Sequence, residues 1–176
     1  MTNVIDPKSL QLLSYGVYII TSQLSGKLNG QLANVAFMVT AEPERIAICL
    51  HKDNLTHEYV EKSGVFAISV IADSAPINFL LPFGFKSGRQ TDKMSTVSFQ
   101  LGSTGCPIIT EHTLSAIEAK LSSKLDIGTH TLFVADIVNA ISINEGAPLT
   151  YTEYQNRKGK TQKNAPTYKA KIPTVR

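Results

Sequence analysis

Short runs of β-branched and aromatic residues recur along the chain, each ended by glycine, proline, asparagine or aspartate, and this spacing constrains the fold more than any other feature. Residues 14–24 predict the first strand. The pair Asn29-Gly30, preceded by Gly26, predicts a hairpin turn because both residues tolerate positive φ. Residues 31–41 then predict the returning strand.

The next segments alternate between strand and helix signals. Residues 45–51 form a nearly unbroken apolar run, which predicts a strand buried on both faces. Residues 54–64 carry a capping residue, early acids, a late lysine and a final glycine, which predicts a short helix. Residues 65–71 predict a strand, and residues 75–82 predict a helix or turn that Pro82 ends.

The second half contains a long loop and two long strands. Residues 83–95 show no hydrophobic periodicity and predict a loop. A long loop in a compact domain is usually functional or disordered. Apolar and polar residues alternate well enough in 113–126 and 130–143 to predict antiparallel strands. Residues 148–154 predict a last strand. The pattern as a whole predicts a mainly β fold, a barrel with a few short helices.

Size and composition favour one domain with its own core. The chain has 176 residues, of which 43% are hydrophobic. No apolar run is long enough to span a bilayer, and the N-terminus has no secretory pattern, so a cytoplasmic protein with no membrane contact is expected. Cys49 and Cys106 are therefore expected to be free thiols.

The net charge of +3 originates at the C-terminus. Residues 156–176 hold seven of the 17 basic residues and no acid, which leaves ten basic against 14 acidic residues elsewhere. We therefore divide the chain into a domain at 1–154 and a basic tail at 155–176. The tail is either a solvated extension or a contact for an anionic partner. The body has no basic stripe interleaved with aromatics, so no nucleic-acid partner is expected.

Motifs for common catalytic chemistries are missing from the sequence. There is no G-x-S-x-G elbow, no H-E-x-x-H, no G-x-G-x-x-G and no P-loop. The four histidines show no metal-ligand spacing, and no metal site is expected.

Three polar segments at predicted strand ends remain as candidates. In 29–34, a glycine and small residues let the backbone lie close to a flat ligand, although this segment alone favours a plain hairpin turn. In 51–57, a lysine, an amide and a hydroxyl precede a helix, where anions bind well, although an ordinary capped helix is the alternative. In 87–93, two cations and a hydroxyl lie in what is otherwise a solvated loop.

Together these segments resemble the flavin reductase family, whose members form an FMN-binding split β-barrel, a Greek-key antiparallel barrel. The resemblance covers roughly residues 13–154 in order and spacing. It is carried by GVYIIT (16–21), NGQLAN (29–34), LHKDNLTHEYVEKSGVFAISVI (50–71), FGFKSGRQTDK (83–93), GCPII (105–109), GTHTLFVADIVNA (128–140) and PLTY (148–151).

The resemblance implies a non-covalent FMN and assigns its contacts. The isoalloxazine edge would meet Asn29, Gly30, Gln31, Leu32, Ala33 and Asn34, largely through their backbone. The ribityl phosphate would meet Lys52, Asn54 and Thr56. Ser87, Arg89 and Lys93 would line the phosphate or the neighbouring subunit's ligand, and Thr21 would lie under the ring. His130 is the one candidate catalytic side chain, facing the flavin pocket, although a lone histidine there also fits a structural bond to a carbonyl.

The resemblance also implies the reaction. A flavin reductase moves a hydride from the nicotinamide of NAD(P)H to flavin N5 and onward to an acceptor, without a protein acid or base at that step. The alternative is a flavoredoxin-like carrier that exchanges electrons with a protein partner and does not use nicotinamide. The choice between NADH and NADPH stays open, and a homodimer is expected.

One branch of the family continues from a tail like residues 159–168 into a rubredoxin module. This chain has no C-x-x-C pair for the iron of such a module. A rubredoxin-like redox partner would therefore be another protein.

Overall fold

The computed structural model describes residues 5–10 and 12–158. Its elements in chain order are α1 Pro7–Leu10, β1 Tyr18–Leu24, β2 Lys27–Ala33, β3 Ala36–Ala41, β4 Glu44–His51, α2 Leu55–Ser63, β5 Val65–Ile71, α3 Ile77–Phe85, a 3-10 turn Met94–Thr96, β6 Phe99–Leu101, β7 Pro107–Ile109, β8 Thr113–Asp126, β9 His130–Ser142 and α4 Tyr151–Lys158.

Seven strands form one antiparallel sheet in the order β2-β1-β5-β8-β9-β4-β3, and β6 pairs with β7 in a small second sheet. The edge strands β2 and β3 are joined by residues 34 and 35 alone. Three Cα–Cα steps span at most about 11 Å, so the sheet must curl until its two edges meet at this point. The prediction of a mainly β antiparallel fold with a few short helices is confirmed.

Three apolar clusters stabilise the curled sheet, and two of them border the site described below. One lies inside the curl and includes Ile20, Ile48 and Phe133, all fully buried. The other lies where α3 and α4 pack on the sheet and includes Leu80 and Tyr154. The cleft described below borders both clusters, because Phe83 of the second and Ala33, which packs against the first, line it.

The predicted turn at Asn29-Gly30 is wrong, because these residues lie inside β2. The chain reverses at Ser25 and Gly26, whose φ angles are 51° and 78°. Two consecutive positive φ values define a type I′ turn, which matches the twist of a two-residue hairpin. There is little space for a side chain at Gly30, since an added Cβ would lie 3.0 Å from Thr21 Cγ2.

Three other predictions need correction. The predicted strand 31–41 is broken at residues 34 and 35, where the chain passes from one sheet edge to the other. Helix α3 continues through Pro82 to Phe85, so the loop begins at residue 86 and not at 83. Residues 148–154 contribute only isolated bridges at Pro148 and Thr150 before α4 begins.

The strand predictions for 113–126 and 130–143 are confirmed by β8 and β9. Helix α2 is confirmed between an Asn54 N-cap and a left-handed Gly64. Helix α4 crosses the boundary proposed at residue 154, and the tail beyond residue 158 lies outside the described residues. Among the described residues, no helix is long and apolar enough to cross a membrane.

Candidate functional site

A cleft of about 210 Å³ lies where β2, the start of α2 and the end of α3 meet. Residues from three separate predicted segments line it. The predicted residues among them are Asn29, Gln31, Leu32, Ala33, Asn34, Asn54, Thr56, Ser87, Lys93 and His130.

The free edge of β2 forms one wall of the cleft. Leu24 and Lys27 close the β1–β2 hairpin, and main-chain groups in such a hairpin alternate between the partner strand and the outside. This alternation directs the N–H and C=O groups of Gly30 and Leu32 away from β1. The contact of Lys93 Nζ with the Gly30 carbonyl oxygen, at 2.6 Å, agrees with that direction. The wall therefore offers main-chain donors and acceptors to a flat ligand.

The start of α2 forms a second wall. Asn54 is the N-cap residue, but its side chain makes no capping hydrogen bond. The first N–H groups of a helix have no partner within the helix, and they favour an anion together with the helix dipole. The Thr56 hydroxyl is held at this end by the Asn29 amide, which donates to it at 2.9 Å.

Gln31 carries the one buried side-chain oxygen that lacks a hydrogen-bond partner among the described residues. Its side chain lines the cleft between Asn29 and Ala33. An unpartnered buried amide oxygen costs free energy, and a ligand N–H group at this position would satisfy it. A heterocycle with an imide N–H, such as the flavin ring, meets that requirement, so these residues fit the cofactor that the sequence implies.

The far end of the cleft is formed by β4 and β9. His51 and His130 are paired in register, and their rings meet edge-to-face with centroids 4.8 Å apart. Burial lowers the pKa of His130, and the neighbouring His51 lowers it further. Both effects favour the neutral ring near neutral pH. His130 also contacts the Thr129 hydroxyl, at 2.8 Å from Nδ1.

Four predicted residues do not line the cleft. The Thr21 hydroxyl is buried against the Pro107 carbonyl oxygen, and Gly30 contributes its main chain to the β2 edge. Lys52 lies in a neighbouring cavity and pairs with Asp126 at 2.6 Å, and Arg89 pairs with Glu58 at 2.9 Å. The roles predicted for these residues stay predictions.

Sequence reasoning missed several cleft residues. Cys49 and His51 lie two residues apart on β4, so they share the face that lines the cleft, and strand periodicity alone could have shown this. Gly88 could not have been found in this way. An added Cβ there would lie 2.1 Å from Asn29 Oδ1, a contact that only the tertiary structure creates.

Neither cysteine takes part in a disulfide. Cys49 lies at the cleft, Cys106 is buried, and burial raises the pKa of each thiol. In the described part of the chain, no group of three or more His, Cys, Asp or Glu side chains could hold a metal ion.

The curled antiparallel sheet places the chain in the split-barrel class. Its structure is similar to that of the NADH:FAD oxidoreductase SgcE6 from Streptomyces globisporus C-1027, with a TM-score of 0.75, 23% identity and coverage of 88% of this chain and 95% of that one. The likeness at this identity concerns the fold.

The sequence matches the family model for the flavin reductase like domain over residues 10–160, and the chain belongs to this family. It is 41% identical to the ferric-chelate reductase (NAD(P)H) of Archaeoglobus fulgidus over 164 residues, which cover 93% of this chain and 97% of the relative. It is 42% identical to the high molecular weight rubredoxin of Moorella thermoacetica over 164 residues, which cover 93% of this chain and 72% of the relative.

Proposed function

We propose that this chain is an NAD(P)H-dependent flavin reductase that binds FMN non-covalently in the cleft beside β2. The observation that carries the proposal is the unpartnered Gln31 oxygen, which lies on the same wall as the free main-chain edge of β2. The name of the Archaeoglobus fulgidus relative, a reductase that uses NAD(P)H, supports the choice of co-substrate.

In this proposal the cleft residues position and hold the cofactor. The main chain of Gly30 and Leu32, together with Gln31, binds the ring edge, and the start of α2 with Thr56 binds the phosphate. FMN supplies the hydride chemistry when it is bound. Positioning through main-chain groups explains why the sequence shows no catalytic side-chain motif.

Burial and the neighbouring His51 lower the pKa of His130, so its ring adds no positive charge to the far end of the cleft near neutral pH. Asp53 beside them is exposed and therefore solvated. This end is suited to an uncharged nicotinamide ring, because binding there would not bury an unpaired charge.

Anaerobic addition of NADH or NADPH to the purified FMN-loaded protein tests this function. We expect the visible absorption of the flavin to bleach within seconds, because a ring held in the cleft leaves one face open to the nicotinamide. Bleaching by dithionite but by neither nucleotide would contradict the reductase proposal.

That contradicting result would favour the second candidate, a flavoredoxin-like electron carrier. The specific observation behind it is the identity of 42% to high molecular weight rubredoxin. This carrier would hold FMN and exchange electrons with a rubredoxin-like protein. Rapid electron transfer from chemically reduced protein to oxidised rubredoxin, with no reaction toward NADH or NADPH, is the result that it predicts.

We also propose that the protein is a homodimer and that β3 contributes to the interface. Three consecutive residues of this edge strand, Phe37, Met38 and Val39, are 50%, 52% and 44% exposed. An exposed apolar strand with a free edge favours pairing with another chain. Because β3 begins two residues after Asn34, which lines the cleft, a second copy on β3 would lie near the cofactor.

Met38→Asp tests this interface. We expect the variant to sediment as a monomer where the wild type sediments as a dimer, because each interface would bury an unpaired carboxylate from each copy. Leu101→Asp is the matched control, since Leu101 is 61% exposed on the separate sheet of β6 and β7. Wild-type protein that is monomeric with FMN bound would contradict the dimer.

A further inference from the structure

Lys93 is a buried cation in the cleft. The residue is 4% exposed, and it lines the cleft on the side of β2. Burial lowers its pKa to about 8. A buried ammonium group is costly unless an opposite charge or several acceptors compensate it.

The protein itself supplies little compensation. Nζ has three donors, and the Gly30 carbonyl oxygen accepts one of them, at 2.6 Å. Among the described residues, no ion pair includes Lys93. The remaining donors therefore favour an anionic or strongly polar ligand atom in the cleft.

The position of Lys93 is fixed by its own loop. Asp92 Oδ1 accepts the Met94 N–H at 3.0 Å, and the Lys93 carbonyl oxygen accepts the Thr96 hydroxyl at 2.9 Å. Met94 is buried beside Gly30: a Cβ added at Gly30 would lie 3.3 Å from Met94 Cε. These contacts hold the ammonium group against the edge of β2.

Lys93 lies on the ring side of the proposed cofactor position. The start of α2, with Thr56, is the part of the cleft suited to a phosphate, and it already has helix N–H groups for that charge. Lys93 instead bonds Gly30, on the main-chain edge that continues to Leu32. If Gln31 accepts the imide N–H of the flavin as proposed, the pyrimidine part of the ring would lie next to Gly30 and Lys93, and this part gains negative charge on reduction.

We infer that Lys93 stabilises the negative charge of the reduced flavin and so raises the reduction potential of the bound cofactor. This inference rests on the proposed function, because it requires FMN in the cleft. It adds a residue whose effect depends on the redox state of the ligand. The hydrogen bond to Gly30 positions the ammonium for that effect.

Other titratable groups face the same cleft, and their positions explain why Lys93 dominates. They are Cys49 and His51 on β4, Asp53 after β4, Lys86 after α3 and His130 on β9. Burial keeps the Cys49 thiol and the His130 ring neutral near pH 7, because it raises the pKa of the first and lowers that of the second. Asp53 and Lys86 are exposed, so solvent screens their charges.

The test measures the midpoint potential of bound FMN at pH 7, where Lys93 is protonated, by equilibration with a reference dye. We expect Lys93→Met to weaken binding of the reduced flavin at least tenfold relative to the oxidised flavin, which corresponds to a potential lower by about 30 mV. Lys93→Gln keeps a donor for Gly30 but removes the charge, and it decides the question if the Met variant does not fold. Lys120→Met is the control, because Lys120 is an exposed lysine on β8 outside the cleft.

An unchanged potential in a folded Lys93 variant that binds FMN would overturn the inference. A variant that loses the same factor of affinity for oxidised and for reduced FMN would also overturn the inference, because that result assigns Lys93 to the phosphate. Failure of the wild-type protein to bind FMN would instead overturn the proposed function. The outcomes are therefore distinguishable.

Discussion

Replacing Glu118 by alanine is expected to lower the free energy of unfolding by about 3 kcal/mol, the scale for removing one partner of a buried, hydrogen-bonded charge. Glu118 is 1% exposed on β8. Its carboxylate accepts hydrogen bonds from the Thr104 N–H at 2.8 Å, the Thr104 hydroxyl at 2.7 Å and the Asn139 amide at 3.0 Å. All of these donors would lose their acceptor in the variant. Urea denaturation at pH 7 measures the effect.

The stabilisation by Glu118 should depend on pH. Burial raises the pKa of this carboxyl, but the hydrogen bonds from Asn139 and Thr104 outweigh burial and lower the pKa to about 2. The folded pKa is below the unfolded value of about 4.3, so the contribution is present above that value and is lost as the pH falls toward 2. The stability difference between wild type and Glu118→Gln should therefore shrink between pH 5 and pH 2.

Glu145→Ala is the control for both experiments, because Glu145 is exposed. Residues 102–106 form the loop that contains Thr104 and precedes β7. A Glu118→Ala variant as stable as this control would show that Glu118 does not stabilise this loop. The loop matters for the cleft because it leads into Pro107, whose carbonyl oxygen accepts the Thr21 hydroxyl. Thr21 on β1 is paired with Gly30 on β2, so the loop contacts β2 through Thr21.

Gly88→Ala is expected to weaken FMN binding at least tenfold, a loss of about 1.4 kcal/mol or more. The new Cβ would lie 2.1 Å from Asn29 Oδ1, closer than atoms can approach. Asn29 would have to move, which breaks its hydrogen bond to Thr56 at the phosphate end of the cleft. Titration of the apoprotein with FMN, followed by quenching of flavin fluorescence, measures the change.

Gly84→Ala provides a matched control in the same region. Its added Cβ would lie 3.5 Å from Leu32 Cδ2 and from the Tyr154 hydroxyl, which is ordinary van der Waals contact. Gly84 also lines the cleft, but no protein atom has to move, so we expect the loss of FMN affinity to be clearly smaller than for Gly88→Ala. Equal affinities for the two variants would show that the Asn29–Thr56 contact does not shape the site.

The sequence predicts most of the strands because buried and more exposed residues alternate in β9, and because β4 is a nearly unbroken apolar run. It fails where tertiary contacts decide the local structure. Asn29-Gly30 has the composition of a turn. In the structure, however, the Asn29 amide donates to the Thr56 hydroxyl, and Gly30 allows close approach to Thr21. The turn forms instead at Ser25 and Gly26.

The cleft was predicted in outline from three separate segments, because polar residues at strand ends and at a helix start converge when a sheet curls. The long basic side chains were harder to place. Lys52 and Arg89 extend to Asp126 and Glu58, and Lys93 is drawn inward to a carbonyl oxygen. Sequence spacing does not specify which partner a flexible side chain selects.

FMN is proposed to lie against β2 with its phosphate at the start of α2. A crystal structure of the protein with FMN tests it most directly. We expect the ring edge along residues 30–34, an N–H group of the ring within hydrogen-bonding distance of Gln31 Oε1, and the phosphate beside Thr56. FMN bound elsewhere, or a cleft that stays empty at saturating FMN, would contradict it.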